Sequence, residues 1–128
     1  IAGIAGKEAG AAPPVVHVGS LSAVRDFSDV RDVVRGYATL WEHGRPGEAY
    51  NVCSGIGTSI ASITAMLGVA SRCRVEWVEE QDRLRPREIQ AVVGSAARAV
   101  ALGWMPTIPL AQTLRDLLDD WRCRRDAC

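Results

Sequence analysis

Three stretches of this sequence bring together side chains that can do chemistry. In LSAVRDFSDVRD (21–32), Arg25-Asp26 falls where a loop feeds the start of a helix. Free N–H groups at a helix start and an arginine fork can converge on an anion there; the same pair can equally be a helix-capping salt bridge. In RLRPREIQ (83–90), Arg83, Arg85 and Arg87 surround Pro86, with Glu88 beside them. Arginine matches a phosphate bidentately and a carboxylate accepts from sugar hydroxyls, while a solvated charged loop is the plainer account of any charge run. The third stretch, AYNVCSGIGTS (49–59), is an apolar run that ends in a glycine-bearing turn. A dinucleotide fingerprint needs G-x-G-x-x-G between a strand and a helix. Here Gly55-Ile56-Gly57 is followed by Thr58-Ser59-Ile60, so the third glycine is missing.

Other catalytic templates are absent from the sequence. No Gly-Lys-Ser/Thr follows the glycines, which excludes a Walker loop, and neither G-x-S-x-G nor H-E-x-x-H occurs. His17 and His43 fall in an expected strand and at an expected helix end, with nothing to place them beside a nucleophile. Cys53, Cys73, Cys123 and Cys128 form no C-x-x-C pair and match no zinc spacing, so no metal site is expected. Cys53 reads as a small buried hydrophobe, and a disulfide framework is not expected. The 128 residues are 48% hydrophobic and 23% charged, a composition that fits one domain at most. Fifteen basic and 15 acidic residues cancel, so no global field points to nucleic acid. Arginine supplies 14 of the 15 basic residues, and Lys7 is the only lysine. No apolar stretch reaches the ~18–20 residues of a membrane span and no signal peptide is visible, so a cytoplasmic chain without membrane partners is expected.

The elements that must position these groups follow from periodicity. PVVHVGS (14–20) and RVEWVEE (74–80) read as strands, as does AYNVCS (49–54). SDVRDVVRGYATLWEHG (28–44) predicts a helix with Ser28 as N-cap, Gly44 as its stop, and Val30, Val33, Val34, Tyr37, Ala38, Leu40 and Trp41 on one apolar face. Thr58 or Ser59 caps a second helix with Ile60, Ile63 and Leu67 inward. AVVG (91–94) is a short apolar piece, and a helix starts near Ser95. Pro109 opens the last helix, whose stripe is Leu110, Leu114, Leu117, Leu118 and Trp121. Strands alternating with helices argue an α/β fold, with no internal repeat.

Taken in order and spacing, VGSLSAVRDFSDVRDVVRGY, AYNVCSGIGTSI, RLRPREI and LGWMPTIPLAQTLRDLLDDWR resemble the back half of extended short-chain dehydrogenase/reductases, the NAD-dependent epimerase/dehydratase family. The resemblance covers essentially the whole chain. It is strongest to the GDP-mannose branch, on the side of its 4-keto-sugar reductases and next to its 4,6-dehydratases. It implies an α/β fold: the C-terminal substrate-binding part of an extended member, plus sheet-completing strands of an incomplete Rossmann fold. It also implies a GDP-sugar substrate, NAD(P)H used by the parent protein but not bound by this piece, and a parent that is a homodimer or larger. By the same resemblance Arg25 and Arg85 hold the diphosphate, Glu88 meets the ribose hydroxyls, and Gly19 and Ser20 line the base side. Ser20 departs there from the asparagine more usual in the family. The family's Tyr-x-x-x-Lys pair does not carry over: four residues after Tyr37 and Tyr50 stand Trp41 and Ser54, and four before Lys7 stands Gly3. The chain is therefore expected to be a C-terminal fragment without catalytic residues, with strand edges and the Trp41 helix facing partners that are missing.

Overall fold

The computed structural model describes residues 1–8, 15–80 and 89–126. In chain order it contains α1 (Ala2–Lys7), β1 (Val15–Val18), β2 (Val24–Asp26), α2 (Val30–His43), β3 (Gly57–Ser59), α3 (Ile60–Ala70), β4 (Glu76–Glu79), β5 (Ala91–Val92), α4 (Ala97–Val100) and α5 (Leu110–Asp126). The strands form two small sheets. β1 and β4 pair in parallel, with Val15 opposite Glu76 and Val18 opposite Glu79. Parallel neighbours require a long crossover, and here it carries β2, α2, β3 and α3. The second sheet has the order β3-β2-β5, with β2 antiparallel to β3 and parallel to β5.

The core lies where α1, α3 and α5 meet. Ile4, Ala5, Leu67, Leu114 and Leu118 are buried there, and Val16 and Trp77 of the first sheet and Ile63 and Met66 of α3 pack against them. Leu110, Leu114 and Leu118 recur at the i, i+4 spacing that places them on one side of α5. The expected stripe is corrected at its edge: Leu117 and Trp121 are 40% and 39% exposed, and Arg122 is buried instead. Ser59 caps α3 as expected, accepting from Ser62 N at 3.1 Å.

Three further expectations are corrected. Residues 49–54 are not a strand. Ser54 N–H goes to the Asp26 carboxylate at 2.9 Å, and Asn51 is held through its side chain to the Ser95 carbonyl at 3.2 Å. Side-chain staples satisfy groups that a ladder would otherwise pair, and the strand comes later, at β3. The N-cap of α2 is Asp29 rather than Ser28, its carboxylate accepting from Arg31 N at 2.8 Å. The inward side of α2 also differs, since the buried residues are Asp32 and Gly36 while Val30, Val34, Tyr37 and Trp41 are 59–91% exposed.

Gly36 explains part of that turn of the helix. A Cβ there would stand 2.8 Å from Val52 Cγ1 and 3.1 Å from Trp104 Nε1. Alanine adds up to about 1 kcal/mol of helix propensity, but both neighbours are stiff, and overpacking of this kind costs about 1–3 kcal/mol. Crowding outweighs the gain in propensity, so Gly36→Ala is expected to lower the unfolding free energy by about 1 kcal/mol in urea titration. A rise would mean that α2 does not approach Val52 and Trp104 this closely.

Candidate functional site

The site is built from β2 outward. Arg25 is half-buried on β2, opposite Thr58 of β3 and Val92 of β5. Its NH1 donates to the carbonyls of Val24 at 2.7 Å and Ile89 at 2.9 Å. The guanidinium is thus tied to the strand junction, while the carboxylate of the adjacent Asp26 is engaged elsewhere. Asp26 Oδ1 accepts from Ser54 N at 2.9 Å and Ser54 Oγ at 2.5 Å, and Oδ2 accepts from Gly55 N at 2.9 Å and Gly94 N at 3.1 Å. Burial would raise this carboxyl, but the donors from Ser54, Gly94 and Gly55 outweigh it and hold it below the usual range.

Asp26 is the first of three carboxylates at three-residue spacing, and each one locks the entry of α2 to a different segment. Asp29 takes the Arg31 guanidinium at 2.8 and 2.7 Å and the Thr113 hydroxyl of α5 at 2.7 Å. The Arg31 contact, ahead of burial, holds its carboxyl far below the ordinary value. Asp32 is fully buried. It accepts from Thr107 N at 3.0 Å, Ile108 N at 2.9 Å and Thr107 Oγ1 at 3.2 Å, and also pairs with Arg35. Its own carbonyl receives the Trp104 indole N–H at 2.9 Å. Burial works against ionisation of Asp32, and the N–H donors with Arg35 overcome it. The result is a mount for Arg25, braced by the three carboxylates that follow it. A site supported this way keeps its geometry better than one on a free loop. The sequence carries a signal for this mount in Asp26-x-x-Asp29-x-x-Asp32 beside a helix start, and reading only Arg25-Asp26 misses it.

The other expected residues fall in two groups. Gly19 and Ser20 follow β1. Ser20 Oγ meets Ser22 Oγ at 3.0 Å, and Leu21 N donates to Glu79 Oε1 of β4 at 3.0 Å. This loop is therefore tied to the end of the parallel pair, and Glu80 N continues the tie to Val18 O at 3.0 Å. Arg85 and Glu88 lie outside the described residues. What the structure does join is Arg25 and Ile89, the residue directly after Glu88 in the chain.

The glycine turn at 55–57 does not fit a dinucleotide. Gly55 has φ +74°, a left-handed turn that glycine adopts freely. Gly57 lies in β3, where a Cβ would stand 2.9 Å from both Val24 Cγ1 and Val93 Cγ2. The second glycine is thus required by packing inside the sheet, and Gly55 N is already taken by Asp26. Neither leaves a cradle for a pyrophosphate. Burial, helped by the Asp26 charge, pushes the Cys53 thiol up, so it is no activated nucleophile. Among the described residues no group of three His, Cys, Asp or Glu side chains could hold a metal ion, and no helix is long and apolar enough to cross a membrane.

Comparison with known proteins gives one family. The model described as GDP-mannose 4,6 dehydratase matches residues 1–117. The GDP-6-deoxy-D-mannose reductase of Pseudomonas aeruginosa is 39% identical over 110 residues, which is 85% of this chain and 36% of that protein. The GDP-mannose 4,6-dehydratase of Sinorhizobium fredii is 28% identical over 110 residues, 70% of this chain and 31% of that protein. Among solved structures, RMD from Pseudomonas aeruginosa complexed with NADPH superposes with a TM-score of 0.87 at 37% identity, covering 96% of this chain and 41% of that one. A UDP-glucose-4-epimerase of Stenotrophomonas maltophila, at 24% identity and TM-score 0.79, shares the fold. The chain thus spans only 31–36% of the length of these two curated relatives.

Proposed function

Because the chain belongs to the GDP-mannose 4,6-dehydratase family of extended short-chain dehydrogenase/reductases, we propose that it is the nucleotide-sugar-gripping portion of a longer GDP-sugar oxidoreductase. The longer protein would reduce the 4-keto group of GDP-4-dehydro-6-deoxy-D-mannose to GDP-D-rhamnose with NAD(P)H. The observation that carries the reductase reading is the 39% identity across 85% of the chain, against 28% across 70% for the dehydratase. The dehydratase reading keeps the support of the family description itself. No dinucleotide fingerprint and no Tyr-x-x-x-Lys pair occurs in these residues, so cofactor and proton donor would be supplied by the length of the relatives that the chain does not match. A non-catalytic nucleotide-sugar-binding module would show the same grip with no turnover in any longer form.

In this reading Arg25 and Arg85 hold the diphosphate, Glu88 takes the ribose hydroxyls, and Gly19 and Ser20 line the base. Two features support the grouping. Arg25 is braced by the carboxylates that follow it, and its guanidinium rests on Ile89 O. Glu88 is bonded to Ile89, and Arg85 stands four residues before it.

The test is calorimetry of the full-length protein with GDP-, UDP- and dTDP-sugars, together with NAD(P)H oxidation on the 4-keto sugar. GDP-mannose is expected to bind best and the keto sugar to be reduced. Preference for a UDP or dTDP sugar would sink the GDP reading, and water loss from GDP-mannose would replace reductase by dehydratase. Arg25→Ala is expected to weaken GDP-mannose binding about 10- to 100-fold, the worth of a charge-assisted hydrogen bond, with the circular dichroism spectrum kept. An unchanged Kd would remove Arg25 from the site.

A further inference from the structure

The parallel pair of β1 and β4 ends on a carboxylate with acceptor capacity to spare. Val18 and Glu79 are partners across the two strands, and Glu80 N donates to Val18 O at 3.0 Å. The 19–21 loop that leaves β1 is folded back onto this end by Leu21 N, which donates to Glu79 Oε1 at 3.0 Å. Side chains alternate along a strand, so the next residue, Glu80, turns the other way and meets His17 Nδ1 at 2.8 Å. The Ser20 hydroxyl is engaged with that of Ser22 at 3.0 Å. Glu79 is exposed, and among the described residues no donor meets its Oε2. Ligands of α/β sheets bind beyond the carboxyl ends of parallel strands, and Glu79 stands at such an end.

We propose that Glu79 is the base-reading residue of the nucleotide-sugar site and that it selects guanine. The proposal rests on the reading that Gly19 and Ser20 line the base. Leu21 N ties the carboxylate to the loop that carries both of them. The edge of guanine presents two donors side by side, N1–H and the N2 amine. A carboxylate takes two parallel N–H bonds of this kind, as it does from arginine. Oε1 keeps a lone pair after accepting from Leu21, and Oε2 keeps both. Uracil and thymine offer one N–H between two carbonyl oxygens, which a carboxylate repels, and adenine offers an amine beside a bare ring nitrogen. The same group therefore attracts one base and rejects the others. The Leu21 bond orients it before the ligand arrives, which lowers the ordering cost of binding.

Calorimetric titration of the full-length protein with GDP and with inosine diphosphate isolates this contact, because hypoxanthine differs from guanine only in lacking the N2 amine. The native protein is expected to bind GDP about tenfold more tightly than inosine diphosphate. In Glu79→Ala the ratio should fall below about twofold, with GDP itself weakened about tenfold or more. Glu79→Gln is the second variant. Its carbonyl oxygen can keep the tie to Leu21 N, while its NH₂ faces the guanine donors. The ratio should narrow here too, and UDP should bind better than it does to the native protein. Both variants are expected to melt with the native protein, since Glu79 is exposed. A residue that only ties the loop would weaken both nucleotides alike. A ratio unmoved in both variants therefore overturns the proposal, as does equal binding of GDP and inosine diphosphate by the native protein. Tight GDP binding with an unmoved ratio removes this assignment alone. A native protein that prefers UDP, or binds neither nucleotide, removes the GDP-sugar reading and this assignment with it.

Discussion

Arg122→Met is expected to destabilise the chain by about 3 kcal/mol in urea titration at neutral pH. Arg122 of α5 and Glu8, directly after α1, form an ion pair with side-chain exposures of 8% and 4%. The guanidinium donates to both Glu8 oxygens, at 2.8 and 2.5 Å, to Asp119 at 2.6 Å, and to the Ala70 carbonyl at 3.0 Å. Glu8 also takes Arg72 N at 2.8 Å and the Ser71 hydroxyl at 3.2 Å. One pair therefore joins the end of α1, the end of α3 and the last turns of α5. Removing one partner of a buried pair leaves an uncompensated charge, which costs about 3–5 kcal/mol. α1 is six residues long, too short to persist alone, so it is the element expected to fray. The double variant Glu8→Leu/Arg122→Met should recover most of the loss, since the pair itself contributes less than the orphaned charge costs.

The same pair sets an acid limb. The Arg122 contact, against the opposing effect of burial, lowers the Glu8 carboxyl from its usual 4.5 to about 2. A group depressed on folding contributes stability that is full above its unfolded value and disappears as pH falls through its folded one. The gap in urea midpoint between the parent chain and Arg122→Met should therefore be widest above pH 4.5 and close toward pH 2. A gap independent of pH, or a single-variant loss under about 1 kcal/mol, would show that Glu8 and Arg122 are not coupled in the folded chain.

How much of this is legible in the sequence depends on how local the cause is. α3 and α5 can be read because their apolar positions follow a helical repeat and a serine or proline marks the start. β1 can be read from an apolar run bounded by proline and glycine, and β4 from alternating apolar and polar residues. Periodicity places α2 almost to the residue but gives the wrong inward side. Its burial is decided by Asp32 bonding to Thr107 and Ile108, more than 70 residues away, and by the approach of Val52 to Gly36. No local pattern contains those partners. AYNVCS misleads for a related reason, since a carboxylate 28 residues earlier takes the Ser54 N–H that a ladder would have used. Within the candidate site Arg25 stands out by residue type and context, whereas its seat on Ile89 O, across 64 residues, is beyond reach of any local reading.

Asp32 is where the second large effect is expected. Asp32→Ala should cost about 3–4 kcal/mol and Asp32→Asn about 1–2, while Arg35→Ala should cost under about 1. The ranking follows from what each leaves behind. Asp32 is 0% exposed and takes two backbone N–H groups at 2.9 and 3.0 Å. Alanine abandons both, and each abandoned buried donor costs about 1–3 kcal/mol. Both N–H groups meet the same oxygen, Oδ2, so asparagine can keep them with its carbonyl oxygen there, while its NH₂ faces Arg35 and Thr107 Oγ1 and the contact to Arg35 is lost. Arg35 is 49% exposed, and half-exposed ion pairs contribute about 0–1 kcal/mol. Its removal tests whether the charge partner or the captured backbone matters. The pH sign agrees with the same picture. The Asp32 carboxyl lies below its ordinary 3.8 because the N–H donors and Arg35 prevail over burial. Its contribution is complete above that value and is lost as pH falls through the folded one, and Asp32→Asn should flatten that part of the stability curve. Arg35→Ala costing as much as Asp32→Ala would place the stabilisation in the ion pair. It would also detach the 104–108 turn from the mount of Arg25, because Asp32's hold on Thr107 and Ile108 is what carries the carboxylate's grip from α2 to that turn.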